Sequence, residues 1–216
     1  MSLRLRAPAV VLAAALSACT AFAANWDSVD FFRAVNTDNA DGVSRALAQG
    51  FDPNAIDEHG QPALILALQL ESPKVAKVLM DAKGIQIDIR NHAGETPLMM
   101  AALKAEADAA TALIAHGAAV QKEGWTPLHY AATGGSAAII KLLLSKGAPL
   151  EARSPNGSTP LMMAARYGNE EAVDALLAAG ADRTAKNDLG MDASAFAASG
   201  GREKLAARLK VGGAGK

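Results

Sequence analysis

Hydrophobic and polar positions recur along this chain in short amphipathic stretches from about residue 28 onward. In one clear example, Thr126 is followed by a proline, an apolar segment and the paired alanines 131–132. A second apolar stretch, 139–144, follows two glycines and ends shortly before Gly147. Threonine favours the capping position of a helix, proline suits the first helical residue, and glycine commonly follows the last turn. The pattern therefore predicts two short helices in each such segment.

The same segment recurs at a nearly constant interval. Residues 96–102, 126–132 and 159–165 share one pattern, and a glycine lies 21 residues after each leading threonine, at Gly117, Gly147 and Gly180. With weaker copies, the units begin at positions 29, 62, 96, 126, 159 and 192, which are separated by 33, 34, 30, 33 and 33 residues. One such unit cannot bury its own apolar face, so neighbouring units must stack. The spacing predicts an all-α repeat solenoid of about six units.

These motifs resemble the ankyrin-repeat family from about Ser28 to Leu209. The resemblance implies two antiparallel helices and a β-hairpin-like finger in each unit. The expected units are approximately 28–56, 57–90, 91–122, 123–153, 154–186 and 187–210. The resemblance also implies a structural role for His129, which in the family connects the start of the helix to the adjacent backbone. Further structural positions are the capping threonines and the terminating glycines, namely Thr96, Thr126, Thr159, Gly117, Gly147 and Gly180.

The two ends of the chain differ from the repeats. Arg4 and Arg6 precede an apolar run, and small residues follow up to Ala23, which is typical of an export signal. We expect residues 1–23 to be a cleaved signal peptide and the mature protein to be periplasmic. An alternative is a lipoprotein, because the sequence ending at Cys19 resembles a lipobox in which that cysteine is lipidated. The glycine-rich residues 211–216 are expected to form a flexible tail.

Composition narrows the possible partners. Half of the residues are hydrophobic but only 4% are aromatic, which favours closely packed helices with small contacts. The net charge is −1, so no overall basic excess favours nucleic acid. The single cysteine excludes paired structural disulfides, and no segment after the signal is long and apolar enough to cross a membrane. The expected partner is another protein.

No catalytic or cofactor motif is present in the sequence. The spaced cysteine and histidine pattern of zinc sites, the phosphate-binding loop and the serine-hydrolase elbow are all absent. Residues 57–59 and His92 form two fingertips where a weak metal site is conceivable, although solvated finger residues are the simpler interpretation. The methionine pairs at 99–100 and 162–163 are interpreted as core filler; copper ligands or an oxidant sink are the alternatives. We expect no catalytic residue, cofactor or metal.

The resemblance implies that partners contact the finger tips and the exposed positions just after the paired alanines, which together line a concave face. Carried over by position, the candidates are Glu58, His59, Gln61, Gln69, Leu70, Arg90, His92, Glu95, Leu103, Lys104, Lys122, Trp125, Thr133, Asn156, Ser158, Arg166 and Tyr167. Those predicted to contribute most to partner binding are Arg90, His92, Leu103, Lys104, Trp125, Arg166 and Tyr167.

Trp125 lies between a finger glycine and a helix cap, where there is little core to enter. It is predicted to project as a binding anchor, and the alternative is that it folds back over a neighbouring finger. The interval between the third and fourth units is three residues shorter than the usual 33, and the missing residues fall between Gly117 and Thr126. This predicts a truncated finger with a notch beside Trp125. The notch is either a tolerated loop deletion or a recess for a partner.

Together these features predict a non-enzymatic protein–protein interaction module in the bacterial cell envelope, which presents a rigid concave surface to another exported protein. The alternatives are an inhibitor or immunity protein that caps an exported enzyme or toxin, and a hydrolase or metal-dependent enzyme. The enzyme would require an acidic and histidine cluster assembled from several fingers.

Overall fold

A computed structural model describes residues 26–210, which form twelve helices joined by turns. The predicted signal peptide, Cys19 and the tail at 211–216 lie outside the described residues. The helices pair in chain order, two to each of six units, which confirms the prediction of an all-α repeat solenoid. Their bounds are α1 Ser28–Asn36, α2 Ala40–Ala48, α3 Ala63–Gln69, α4 Pro73–Met80, α5 Pro97–Leu103, α6 Ala107–Ala115, α7 Pro127–Gly134, α8 Ala137–Ser145, α9 Pro160–Arg166, α10 Glu170–Ala178, α11 Ala193–Ser199 and α12 Glu203–Leu209.

The first helices of units three, four and five begin at capping threonines. The hydroxyls of Thr96, Thr126 and Thr159 accept hydrogen bonds from the backbone N–H three residues further on, at 3.3, 3.4 and 3.4 Å. A proline occupies the first helical position in each case. Because that position has no N–H partner inside the helix, proline loses nothing there. The local sequence alone therefore fixes where these helices start.

The first unit begins earlier than its expected start at Val29. Helix α1 is capped by Asp27, whose Oδ1 accepts a hydrogen bond from the Asp30 N–H at 2.8 Å. Aspartate is a favoured capping residue and valine is not, which explains the correction. From Asp27 to Pro62, which precedes α3, the interval is therefore 35 residues rather than 33.

From unit two onward, successive first helices pack against one another more closely than successive second helices do. The paired alanines 101–102, 131–132 and 164–165 are fully buried at these contacts. At Gly134 the approach is so close that an added Cβ would lie 2.3 Å from the backbone oxygen of Leu103. Small residues thus bring neighbouring units together.

The methionine pairs take part in the core. Met99 and Met162 are each only 1% exposed, Met100 is buried, and Met163 is half-buried against the core. These positions agree with the interpretation of methionine as core filler.

The last unit is fastened to its neighbour by two arginines. Arg202 Nη1 donates to the backbone oxygens of Ala164 and Ala165, at 3.0 and 2.9 Å, and so satisfies carbonyls near the end of α9. Arg208 pairs with Asp174 at 2.9 Å and with Glu170 at 3.6 Å, both on α10. These contacts hold the last unit against α9 and α10. No helix in the described part of the chain combines the length and hydrophobicity needed to cross a bilayer.

Candidate protein-binding surface

The fingers that follow units one, two, four and five close in the same way. In the first, Asp57 Oδ1 accepts hydrogen bonds from the backbone N–H groups of His59 and Gln61, at 2.9 and 2.7 Å. Asn91, Ser154 and Asn187 make equivalent turn contacts. A glycine with positive φ follows each of the four residues by three positions. This role was not predicted from the sequence, although Asp, Asn or Ser at that distance before glycine is a recognisable turn signature.

Side chains also connect one finger to the next unit. Asn54 Oδ1 accepts from the Gln86 N–H at 2.7 Å. Asp88 Oδ1 accepts from the Ala119 N–H at 3.0 Å, and Glu151 Oε1 accepts from the Asp182 N–H at 2.8 Å. Each acceptor lies four residues after the glycine that ends a unit, and each donor lies two residues after the next such glycine.

One junction departs from this arrangement. Between units three and four, the corresponding positions are Gln121 and Pro149. Proline has no N–H to donate, so the connecting hydrogen bond cannot form there. The same finger, 118–125, is the one that is three residues short. The two changes leave the finger side of the stack open at this junction.

A recess of about 630 Å³ lies beside the short finger. It is lined by Arg90 from the preceding finger, by Lys122 and Glu123 from the short finger, and by Arg153 and Pro155 from the next. A notch was predicted at this short finger, but beside Trp125, which is not among the residues that line the recess. Three of its five named side chains are cationic, so the recess is basic although the whole chain is not.

Trp125 does not line the recess, and the expectation that it projects from the short finger is wrong. Its side chain is half-buried, and its ring lies edge-on against the ring of His129, with 5.3 Å between centroids and 78° between planes. The aromatic body covers a buried imidazole, which is a favourable arrangement for such a pair. The indole keeps some exposure, so its contribution to partner binding stays a prediction.

His129 is completely buried at the start of α7. Its Nδ1 accepts from the Thr126 N–H at 3.2 Å and lies 2.9 Å from the Thr126 hydroxyl, while Nε2 lies 3.0 Å from the Ser158 backbone oxygen. The proton must therefore sit on Nε2, which donates to that carbonyl. Burial lowers the pKa of the imidazole below its usual value. Nδ1 thus fixes the start of α7, and Nε2 holds unit four to the next finger.

The same contact corrects the prediction for Ser158, which was expected to be exposed. Ser158 is 1% exposed because its carbonyl accepts the His129 hydrogen bond beneath the finger.

Glu95 is another candidate whose side chain already forms hydrogen bonds within the protein. Its Oε1 accepts from the Tyr130 hydroxyl at 2.8 Å, and its Oε2 accepts from Asn91 Nδ2 at 2.7 Å.

The ends of the first helices carry the two exposed large hydrophobic candidates. Leu70 and Tyr167 are 47% and 55% exposed, although both are large and hydrophobic. The guanidinium carbon of Arg166 lies 5.1 Å from the centre of the Tyr167 ring. Lys104 Nζ lies 3.2 Å from a carboxylate oxygen of Glu71. We call Leu70, Lys104, Arg166 and Tyr167 the helix-end surface.

Three other candidates differ from this group. Leu103 is half-buried and packs against the core, so less of it is available than its position suggested. His92 and Arg90 are exposed on the finger. The His92 ring covers Gly60 of the preceding finger, where an added Cβ would lie 1.9 Å from Nε2. The fingertip residues 57–59 and His92 do not assemble a metal site, because residues 26–210 contain no group of three or more side chains placed to hold one.

Comparison with known proteins supports this architecture. A family model for ankyrin repeats matches residues 83–154, 119–187 and 148–212. The chain is 33% identical over 132 residues to mouse B-cell lymphoma 3 protein homolog, covering 58% of this chain and 30% of that protein. It is 37% identical over 133 residues to human SH3 and multiple ankyrin repeat domains protein 1, covering 59% and 6%. A third match is mouse ankyrin repeat and SAM domain-containing protein 6, with 32% identity over 123 residues, covering 52% and 14%.

The chain spans less than a third of the length of each of these relatives, so the similarity concerns their repeats. Repeats of this kind generally mediate protein–protein interactions. The paired helices, the capping threonines and the family model agree, and this chain belongs to the ankyrin-repeat family.

Proposed function

We propose that this chain is a non-enzymatic interaction module of the bacterial cell envelope, which binds another exported protein through the helix-end surface. The observation that carries the proposal is the exposure of the large hydrophobic side chains Leu70 and Tyr167, the second of which lies against the Arg166 guanidinium. Aromatic residues and arginine are enriched among residues that dominate binding energies. Arg166 and Tyr167 already contact each other, so little side-chain freedom is lost when a partner binds.

The location rests on the export signal at residues 1–23. We expect the mature protein in the soluble periplasmic fraction, with Ala24 as its first residue. Intact-mass measurement of the native protein after cell fractionation checks this. A mature mass that begins at an acylated Cys19, found in the membrane fraction, would replace the proposed location with that of a lipoprotein.

The binding role is tested at Tyr167. We expect Tyr167→Ala to weaken partner binding at least about tenfold, because a half-exposed aromatic side chain at the centre of an interface is a typical hot spot. The variant should keep its stability within about 0.5 kcal/mol, since the side chain is exposed. Crosslinking and affinity capture from the native envelope identify the partner, and titration with that purified partner measures the affinity.

Arg166→Ala should weaken binding in the same direction. Lys141→Ala is the matched control, because Lys141 is exposed on the second helix α8, away from the helix-end surface. Equal partner affinity for the wild type, Tyr167→Ala and Arg166→Ala would show that this surface is not the binding site.

A further inference from the structure

The fingers carry a row of cations on consecutive units. Arg90, Arg153 and Lys186 occupy the same position in three fingers, four residues before the finger glycine. Lys122 belongs to the short finger between Arg90 and Arg153, and these three side chains line one recess. All but Lys122 are exposed, and Lys122 is half-exposed. We call Arg90, Lys122, Arg153 and Lys186 the basic row.

The basic row is not neutralised within the described part of the chain. None of the ion pairs found in residues 26–210 involves any of its four members. The nearby acids Asp88 and Glu151 accept backbone N–H groups of the following units instead. Asp182 lies within electrostatic range of Arg153, but its Oδ1 accepts hydrogen bonds from the Thr184 N–H and hydroxyl. Glu123 is the one acidic side chain that lines the recess. The row therefore presents a net positive surface on a chain whose total charge is −1.

Arg153 is held in a fixed position in this row. Its Nη1 donates to the backbone oxygens of Gly157 and Lys186, at 2.8 and 2.7 Å, so it links the fingers that follow units four and five. Guanidinium has further donors on Nη2 and Nε, which suit a carboxylate. A fixed arginine at the rim of an open recess binds an anion with less loss of side-chain entropy than a freely rotating one.

We infer that the basic row binds an extended acidic segment of the partner protein, with one carboxylate for each unit. This inference rests on the proposed function and specifies the chemistry of the partner. Packed helices lie about 8–10 Å apart, so the cations repeat at about that distance along the stack. In an extended polyproline II segment, which has three residues per turn and rises about 3.1 Å per residue, every third side chain lies on the same face at a spacing of about 9 Å. The matching ligand is a segment with Asp or Glu at every third residue.

Nucleic acid fits this surface less well. Its backbone requires many phosphates to be neutralised together, whereas the row offers four cations with Glu123 among them. A protein segment can place a neutral residue opposite Glu123 and carboxylates opposite the cations.

The test uses labelled synthetic peptides and the purified full chain, with affinity measured by fluorescence anisotropy at two salt concentrations. One peptide has glutamate at every third residue, a second has the same composition with its glutamates clustered, and a third has glutamine in their place. We expect the spaced peptide to bind at least fivefold more tightly than the clustered one. The glutamine peptide should show no measurable binding.

Two triple variants with the same change in net charge separate the basic row from general electrostatics. The row variant combines Arg90→Gln, Lys122→Gln and Lys186→Gln. It removes three cations of the row and keeps Arg153, whose finger contacts are structural. The control variant combines Lys74→Gln, Lys141→Gln and Lys146→Gln. It removes three exposed cations on or beside the second helices α4 and α8. The row variant should lose at least tenfold in affinity for the spaced peptide, and the control variant less than twofold. Circular dichroism checks that both variants are folded.

Equal losses in the two variants, or equal binding of the spaced and clustered peptides, would overturn the inference. Tighter binding of single-stranded RNA than of the spaced peptide, lost in the row variant, would assign the row to nucleic acid instead. The proposed function has a separate outcome. If the row variant captures the native partner as well as the wild type does, only the acidic-segment inference fails; if the wild type captures no partner, the proposed function fails.

Discussion

Replacing His129 with alanine is expected to lower the free energy of unfolding by at least about 2 kcal/mol. The substitution leaves the Thr126 N–H and the Ser158 carbonyl without their partner inside a buried site, and each such group costs about 1–3 kcal/mol. It also removes the ring against which Trp125 packs. Urea denaturation, followed by circular dichroism, measures the loss.

His116→Ala is the matched control. His116 is an exposed histidine outside the core. Its ring contacts the Ala112 carbonyl at 2.8 Å and Asp81 at 3.1 Å on the surface. Exposed pairs of this kind contribute about 1 kcal/mol or less. Equal destabilisation by the two substitutions would contradict a structural role for His129.

The pH dependence provides a second arm of the same experiment. Because burial lowers the pKa of His129 in the folded protein, the unfolded chain takes up a proton first as the pH falls below the usual value of 6.5. His129 should therefore reduce stability progressively below that pH, by at most about 1.4 kcal/mol per pH unit. His116 opposes this trend, since the Ala112 carbonyl and Asp81 raise its pKa. The comparison is clearest in a His116→Ala background, where adding His129→Ala should remove the acid-dependent loss.

The repeat architecture was predictable because its determinants are local. Each capping threonine, the proline after it and the glycine 21 residues later act within a single unit. Once several units share these residues, stacking follows from the apolar face that one unit cannot bury. The start of the first unit was misplaced because Asp27 caps α1 outside the Thr-Pro pattern.

The site was less predictable because exposure depends on contacts between units. Trp125 was expected to project, but the buried ring of His129 lies within its reach. Ser158 was expected at the surface, yet its carbonyl is the acceptor for that same histidine from the preceding unit. The basic row was also missed, since its members are 31 to 33 residues apart and come together only through stacking.

The same stacking makes the effect of a core substitution depend on where its unit lies. Leucine occurs 17 residues after the capping position in five consecutive units, as Leu79, Leu113, Leu143, Leu176 and Leu209. All five are at most 1% exposed. The same Leu→Ala substitution can therefore be compared at one repeat position in units that have different neighbours.

Leu143→Ala is expected to destabilise the whole stack by about 3–5 kcal/mol, whereas Leu209→Ala should act mainly on the last unit. Truncating a buried leucine costs about 2–5 kcal/mol, and the cost is highest where surrounding groups cannot collapse into the cavity. Leu143 lies in α8, with units on both sides, while α12 has a neighbour on one side only. A terminal unit can open without its neighbours because stability in a repeat stack is divided among units and their interfaces.

Urea denaturation and hydrogen exchange of the two variants distinguish these effects. Leu143→Ala should shift the main transition and accelerate exchange in α5, α7 and α9 together. Leu209→Ala should accelerate exchange in α12 and leave the main transition within about 1 kcal/mol of the wild type, since the five remaining units keep their interfaces. Equal shifts of the main transition would mean that the six units unfold as one block. In that case Arg202 and Arg208, which fasten α12 to unit five, would couple the last unit to the rest as strongly as the buried leucines couple the middle ones.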